Sequence, residues 1–175
     1  MKIKFKQMKK ILVMIAVFSI TIFSVAKAQT ATTKTEFDKT LNAYFNIKNA
    51  LAKDNATLAS QNTKVLLTNI ESFPTKKLAA SQQALWKTET AKIKTAALAI
   101  SNEKVIKVQR QSFWAVSTAM INLAKAFKLN SEVVYVQYCP MAKKSWLNEV
   151  EDVQNPFYGS MMYDCGEVTE TIAKK

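Results

Sequence analysis

A mainly α fold is predicted: an antiparallel four-helix bundle followed by a short β-strand and loop segment that carries a Cys/Met motif. Three observations predict it. Between residues 29 and 130 there is no Gly, no Cys and a single Pro, as suits a helical region, because Gly supplies most tight turns and helix C-caps. Apolar residues in that region recur at steps of three and four. Beyond Asn130 the composition changes, and both Gly, both Cys and two of the three Pro fall there.

The first helix is predicted from about Lys34 to Ala52. Thr33 and Glu36 fit a capping box, and Phe37, Leu41, Tyr44, Phe45 and Leu51 form its apolar stripe. Asp54-Asn55 breaks the chain and offers an N-cap. A second helix follows from about Ala56 to Ser72, with Leu58, Val65, Leu66, Ile70 and Phe73 on one face and Pro74 as its stop. The third begins after Ser81 and carries Leu85, Trp86, Ile93, Ala97 and Ile100. The fourth runs from about Glu103 to Lys128. Its seam is Ile106, Gln109, Phe113, Val116, Met120, Leu123 and Phe127. Short connections favour antiparallel neighbours. Trp114 and Met120 read as core residues. The β-branched and aromatic run from Val133 to Tyr138 reads as a strand, and Glu167 to Ile172 as its partner. A two-stranded ribbon is marginal alone, so it is expected to pack on the bundle.

The N-terminus reads as an address. Lys2, Lys4, Lys6, Lys9 and Lys10 precede an apolar run from Ile11 to Val25, and Ala26-Lys27-Ala28 is a small-x-small cleavage site. Residues 1–28 are therefore expected to be a signal peptide cleaved after Ala28. Residues 29–175 then form one domain, with the bundle at about 33–130 and the strand and tail at about 131–175. The apolar run is short for a membrane span, and no Cys stands at the cleavage point for a lipid anchor. The expectation is a periplasmic or otherwise exported chain with no stable span after cleavage. Without the signal there are 19 basic and 13 acidic residues, a net charge of +6. One arginine and scattered lysines do not make a nucleic-acid face.

The chain has no His. That excludes Ser-His-Asp and Cys-His catalysis and any His-ligated metal. No C-x-x-C pair is present, so no enzyme is expected. The chemistry concentrates in Cys139-Pro140-Met141 and in Met162-Tyr163-Asp164-Cys165-Gly166. Thiolates and thioethers are soft ligands that select Cu(I), with Ag(I) expected to behave alike. Pro140 stiffens the first turn. A helix or turn over Met162-x-x-Cys165 brings its two sulfurs to one side. Gly159 and Gly166 permit positive φ or close backbone approach, and Trp146, Phe157 and Tyr158 offer an apolar wall. Cys139 and Cys165 have a second reading as a disulfide, since an exported chain with an even Cys count often forms one. It would close a loop of about 25 residues and stabilise by roughly 3–4 kcal/mol in the chain-entropy model. Composition alone favours the disulfide, the Met enrichment favours the metal, and a redox-dependent site accommodates both.

The run Tyr138-Cys139-Pro140-Met141-Ala142, then Trp146-Leu147, then Asn155-Pro156-Phe157-Tyr158-Gly159, Met162, Cys165 and Gly166 resembles the DUF3347 family. These are exported bacterial domains built as a helical region followed by a tail of this pattern, found fused to or encoded near copper and silver efflux proteins of the membrane-fusion type. The resemblance implies copper or heavy-metal homeostasis outside the cytoplasm, with Cys139, Met141, Met162 and Cys165 as metal ligands and Met161 as a spare. Pro140, Trp146, Asn155, Pro156, Tyr158, Gly159 and Gly166 become the structural residues around them. Phe157 replaces the family's usual first Tyr, and the segment between Met141 and Trp146 is short. The implied partner is a membrane-fusion-type efflux adaptor or another copper carrier. The competing expectation is a disulfide-stapled helical interaction module of the cell envelope with no metal role.

Overall fold

The structure is a computed structural model that describes residues 31–175. The proposed signal peptide and its cleavage site lie outside the described residues. The architecture is mainly α, an antiparallel bundle of four helices followed by a small three-stranded sheet. Helix α1 is helical over residues 31–52. Then come α2 (Ala56–Ser72), a 3₁₀ turn (Thr75–Lys77), α3 (Ala80–Asn102) and α4 (Ile106–Phe127). The sheet is β1 (Val134–Cys139), β2 (Lys144–Asn148) and β3 (Glu167–Ile172), with a second 3₁₀ turn at Gly159–Met161 between β2 and β3. Among the described residues no helix is long and apolar enough to cross a membrane.

The α1 stripe packs as its periodicity requires: Phe37, Leu41, Tyr44, Phe45 and Leu51 are all buried. They join one core with Leu66, Ile70, Ile93, Phe113, Met120 and Leu123. Asn55 caps α2 by accepting the Leu58 N–H at 2.9 Å. Three expectations on the helices fail. Thr33 lies inside α1 rather than at its start, so the Thr33–Glu36 pair is not a cap. Leu58 and Val65 are exposed, which narrows the buried face of α2 to Ala59, Thr63, Leu66 and Ile70. Trp114 is half-exposed rather than core: it sits next to the seam residue Phe113 and turns outward. Without Gly in the bundle, left-handed positions fall to other residues. Asp54 (φ 56°) follows α1 and Lys128 (φ 48°) ends α4.

The sheet order is β2-β1-β3, both pairings antiparallel. β2 is the element not read from the sequence, since Lys144-Ser145 opens it and no β-branched residue marks it. It converts the expected ribbon into a sheet and joins that sheet to the bundle. The Tyr44 and Ser117 hydroxyls are 2.8 Å apart. Tyr44 accepts the Leu147 N–H at 3.0 Å, and Ser117 donates to the Ser145 carbonyl at 3.0 Å. Buried polar groups on α1 and α4 thus bond the β2 backbone, which they must do to remain satisfied in the core.

Candidate functional site

β1 ends at Cys139 and a tight turn follows, closed by the Lys143 N–H on the Cys139 carbonyl at 2.8 Å. Cys139 is fully buried. Cys165 approaches from the chain after the second 3₁₀ turn and is half-buried. Its N–H bonds the Met162 carbonyl at 3.2 Å, so Met162-x-x-Cys165 is a turn. The two sulfurs are 2.7 Å apart, and both cysteines are free.

The pair is electrostatically unequal. Burial alone would raise the Cys139 pKa. The Cys165 S–H, the backbone N–H groups of Ala142 and Met141 and the Asn155 side chain outweigh it and bring Cys139 below the ordinary thiol value. The Ala142 nitrogen lies 3.4 Å from the sulfur. Cys165 moves up, first because its S–H is engaged by Cys139, then through burial and the nearby Cys139 charge. The favoured singly ionised state is a Cys139 thiolate accepting a hydrogen bond from Cys165.

The loop that delivers Cys165 is anchored at both ends. Asn155, fully buried, donates from Nδ2 to the Cys165 carbonyl at 2.9 Å and accepts the Phe157 N–H at 2.8 Å. Its own N–H bonds the Tyr163 carbonyl at 2.8 Å. Arg110 on α4 donates to the Pro156 carbonyl at 3.0 Å, to the Leu51 carbonyl at 2.6 Å and to Asp54 at 2.5 Å. Asp54 also accepts the Ser160 N–H at 2.9 Å. Hydrogen bonds from Ser160 and Arg110 bring its carboxyl down to about 2. Upstream, Gln137 and Asn148 bind one another at 3.0 Å and hold the 150–152 carbonyls. The fully buried Lys48 ammonium meets Asn148, Gln154 and Glu149.

Both glycines are needed here. Gly159 has φ +59°, and a Cβ there would overlap the Arg110 guanidinium. Gly166 has φ +151°, and a Cβ would come within 2.9 Å of the Trp146 ring and 3.0 Å of the Tyr138 carbonyl. Trp146 is fully buried and meets Phe157 edge-on at 6.0 Å, which forms the apolar backing of the loop. The Tyr158 hydroxyl lies 3.5 Å from the Met141 carbonyl.

The structure therefore brings Cys139 and Cys165 together, with Asn155, Pro156, Tyr158, Gly159, Gly166 and Trp146 built around them. The side chains of Met141 and Met161 are exposed, and Met162 is half-buried. Among the described residues no group of three or more His, Cys, Asp or Glu side chains is placed to hold a metal ion. The soft donors that meet at the site are the two thiols. Two sulfurs sharing one ion with metal–sulfur bonds of about 2.3 Å lie roughly 3.3–4.6 Å apart. At 2.7 Å the pair is closed, and an ion between the sulfurs requires half-buried Cys165 to swing outward by about an ångström. Chemically the donor set fits a soft monovalent ion.

The sequence reading assigned none of Arg110, Asp54 and Lys48 to the site. The signal was present for Arg110, the single arginine among 25 basic residues, because the forked geometry that binds three acceptors is one a lysine cannot supply.

The chain matches the model of a family described as protein of unknown function (DUF3347) over residues 40–132, just over half of its length. It belongs to the DUF3347 family. The matched segment takes in most of α1, all of α2, α3 and α4, and the turn into β1. It ends before Cys139, so the resemblance read in the tail and the family match cover different parts of one chain. No curated protein and no solved structure matches it.

Proposed function

We propose that this DUF3347 protein is an exported carrier of soft monovalent metal, Cu(I) or Ag(I), accessory to copper or heavy-metal efflux and homeostasis. Cys139 and Cys165 are its principal ligands, and Met141 and Met162 complete the coordination with Met161 in reserve. The observation that carries the reading is the meeting of two free cysteines 26 positions apart, one of them with a depressed pKa. Thiolates bind metal only when deprotonated, so the donors around Cys139 lower the proton cost of capture. Neutral thioethers add soft ligands without adding charge. The metal is cargo, and the chain's own part is to hold one ligand rigidly in β1 and the other on an anchored but half-buried loop.

X-ray absorption on the reduced protein loaded with one equivalent of Cu(I) tests this. The expected spectrum has only sulfur in the first shell, with loss of the short thiolate distances in Cys139→Ser. A first shell of oxygen and nitrogen overturns the reading.

The closeness of the two sulfurs favours a second reading, a disulfide staple on a helical interaction module. Oxidation joins the sulfurs and passes two electrons and two protons to an external disulfide. Mass shifts after alkylation of protein taken unreduced from the cell envelope decide between the two. No adduct on either cysteine supports the staple, and two adducts support the carrier.

A further inference from the structure

Beside the thiol pair lies a surface groove of about 460 Å³ between the start of α4 and the 157–161 loop. Ile106, Ala142, Phe157 and Tyr158 give it apolar walls, and Met161 stands at its rim, almost three-quarters exposed. Its lining contains no acid. The charged groups there are Lys107, Arg110 and Lys144. Arg110 is matched by Asp54 at 2.5 Å, whereas among the described residues neither Lys107 nor Lys144 has an ion-pair partner. The Lys144 ammonium lies 5.2 Å from the Phe157 ring and 5.8 Å from that of half-exposed Trp114, so the positive charge sits directly on the apolar surface. Ala142 lines this groove and also donates its N–H to the Cys139 sulfur.

We infer that the groove docks an acidic segment of a partner protein carrying a methionine or similar apolar anchor, and that docking places the partner's donor next to the Cys139–Cys165 pair. The inference deepens the proposed carrier role and rests on it, since the partner is then the protein that gives or takes the metal. Charge complementarity selects the occupant: two uncompensated lysines on an apolar floor attract carboxylates, and the floor accepts a long unbranched side chain. A ligand exchange between neighbouring thioethers and thiolates needs no redox step, since the ion keeps its charge and only metal–sulfur bonds are traded.

The test is a titration of the copper-free protein with a capped Glu-Glu-Met-Glu-Glu peptide, read by the fluorescence of Trp114, as Trp86 and Trp146 are buried. Saturable binding is expected, weakened about tenfold or more by Lys107→Glu, which alters an exposed side chain, and further by Lys144→Glu. A Lys-Lys-Met-Lys-Lys peptide is expected to bind only the doubly reversed variant. Equal binding of the two peptides, indifference to Lys107→Glu, or binding to phosphatidylglycerol vesicles in place of the acidic peptide overturns the inference. The same titration on the Cys139→Ser/Cys165→Ser variant separates the two proposals. Peptide binding persists there if the groove is a docking surface, whatever becomes of metal binding.

Discussion

Arg110 occupies the space that a side chain on Gly159 would need. The guanidinium reaches across from α4 to the carbonyls of Leu51 and Pro156 and to Asp54, so the left-handed glycine lets the loop close over a buried cation. Gly159→Ala must strain the backbone and displace that cation from its acceptors. The expected loss is about 2–5 kcal/mol in urea unfolding. A loss under about 1 kcal/mol would show that the loop is not held by this fit.

Asp54 supplies the acid-side counterpart. Its folded pKa of about 2 lies below its ordinary value of 3.8, so its contribution is present above about pH 4 and is lost as pH falls through about 2. Asp54→Asn is expected to flatten the stability profile between pH 4 and 2 relative to the native protein. The carboxylate is more than one-third exposed, so the effect is modest. Parallel profiles for the two proteins would remove Asp54 from the clasp.

Lys48 acts at the basic end of the pH range. Burial lowers its pKa to about 8 against the usual 10.5, ahead of the opposing effect of Glu149. Between those values the unfolded chain binds more protons than the folded one, so stability rises with pH across that window. Comparison with Lys48→Met is expected to show a rise of up to about 3 kcal/mol for the native protein that the variant lacks. A pH-independent difference between the two would contradict the placement of a buried ammonium among Asn148, Gln154 and Glu149.

How much of this was legible in the sequence follows from where each signal resides. The α1 stripe was legible because burial imposes a 3.6-residue period, and the bounds of α2 because Asn55 caps it and Pro74 stops it. β3 was legible as a partner strand for β1, and Asn55 as a cap by its side-chain chemistry. β2 was not legible. Its stability comes from cross-strand partners such as the Gln137–Trp146 pair and from the Tyr44 hydroxyl of a distant helix, and neither leaves a local pattern. Trp114 misled because large aromatic residues usually belong to cores, whereas here Lys144 covers its ring. In the tail, the two cysteines and two glycines were legible as chemistry. Arg110 and Lys48 were not, because a lone charge in a helix reads as surface until the fold buries it, and Asp54 was legible only as a break after α1 because its partners Arg110 and Ser160 lie 56 and 106 positions away.

The unequal thiols give a spectroscopic prediction. Thiolate absorbance of the reduced protein is expected to grow in two steps, one below and one above the ordinary thiol range, both belonging to the pair. Cys165→Ala deletes the S–H donor and is expected to raise the lower step. Cys139→Ala is expected to bring the upper step down toward the ordinary value. A single unperturbed step for both thiols would mean that the sulfurs do not share a proton.

The most direct measurement is an anaerobic titration of the reduced protein from Gln29 to Lys175 with Cu(I) against a chromophoric competing chelator. The expected result is one equivalent bound in competition with the chelator. Cys139→Ser and Cys165→Ser should abolish it, and Met141 or Met162 replacements should weaken it far less. With both thiols verified as reduced, failure to compete, or equal affinity in all four variants, would contradict the soft-metal site.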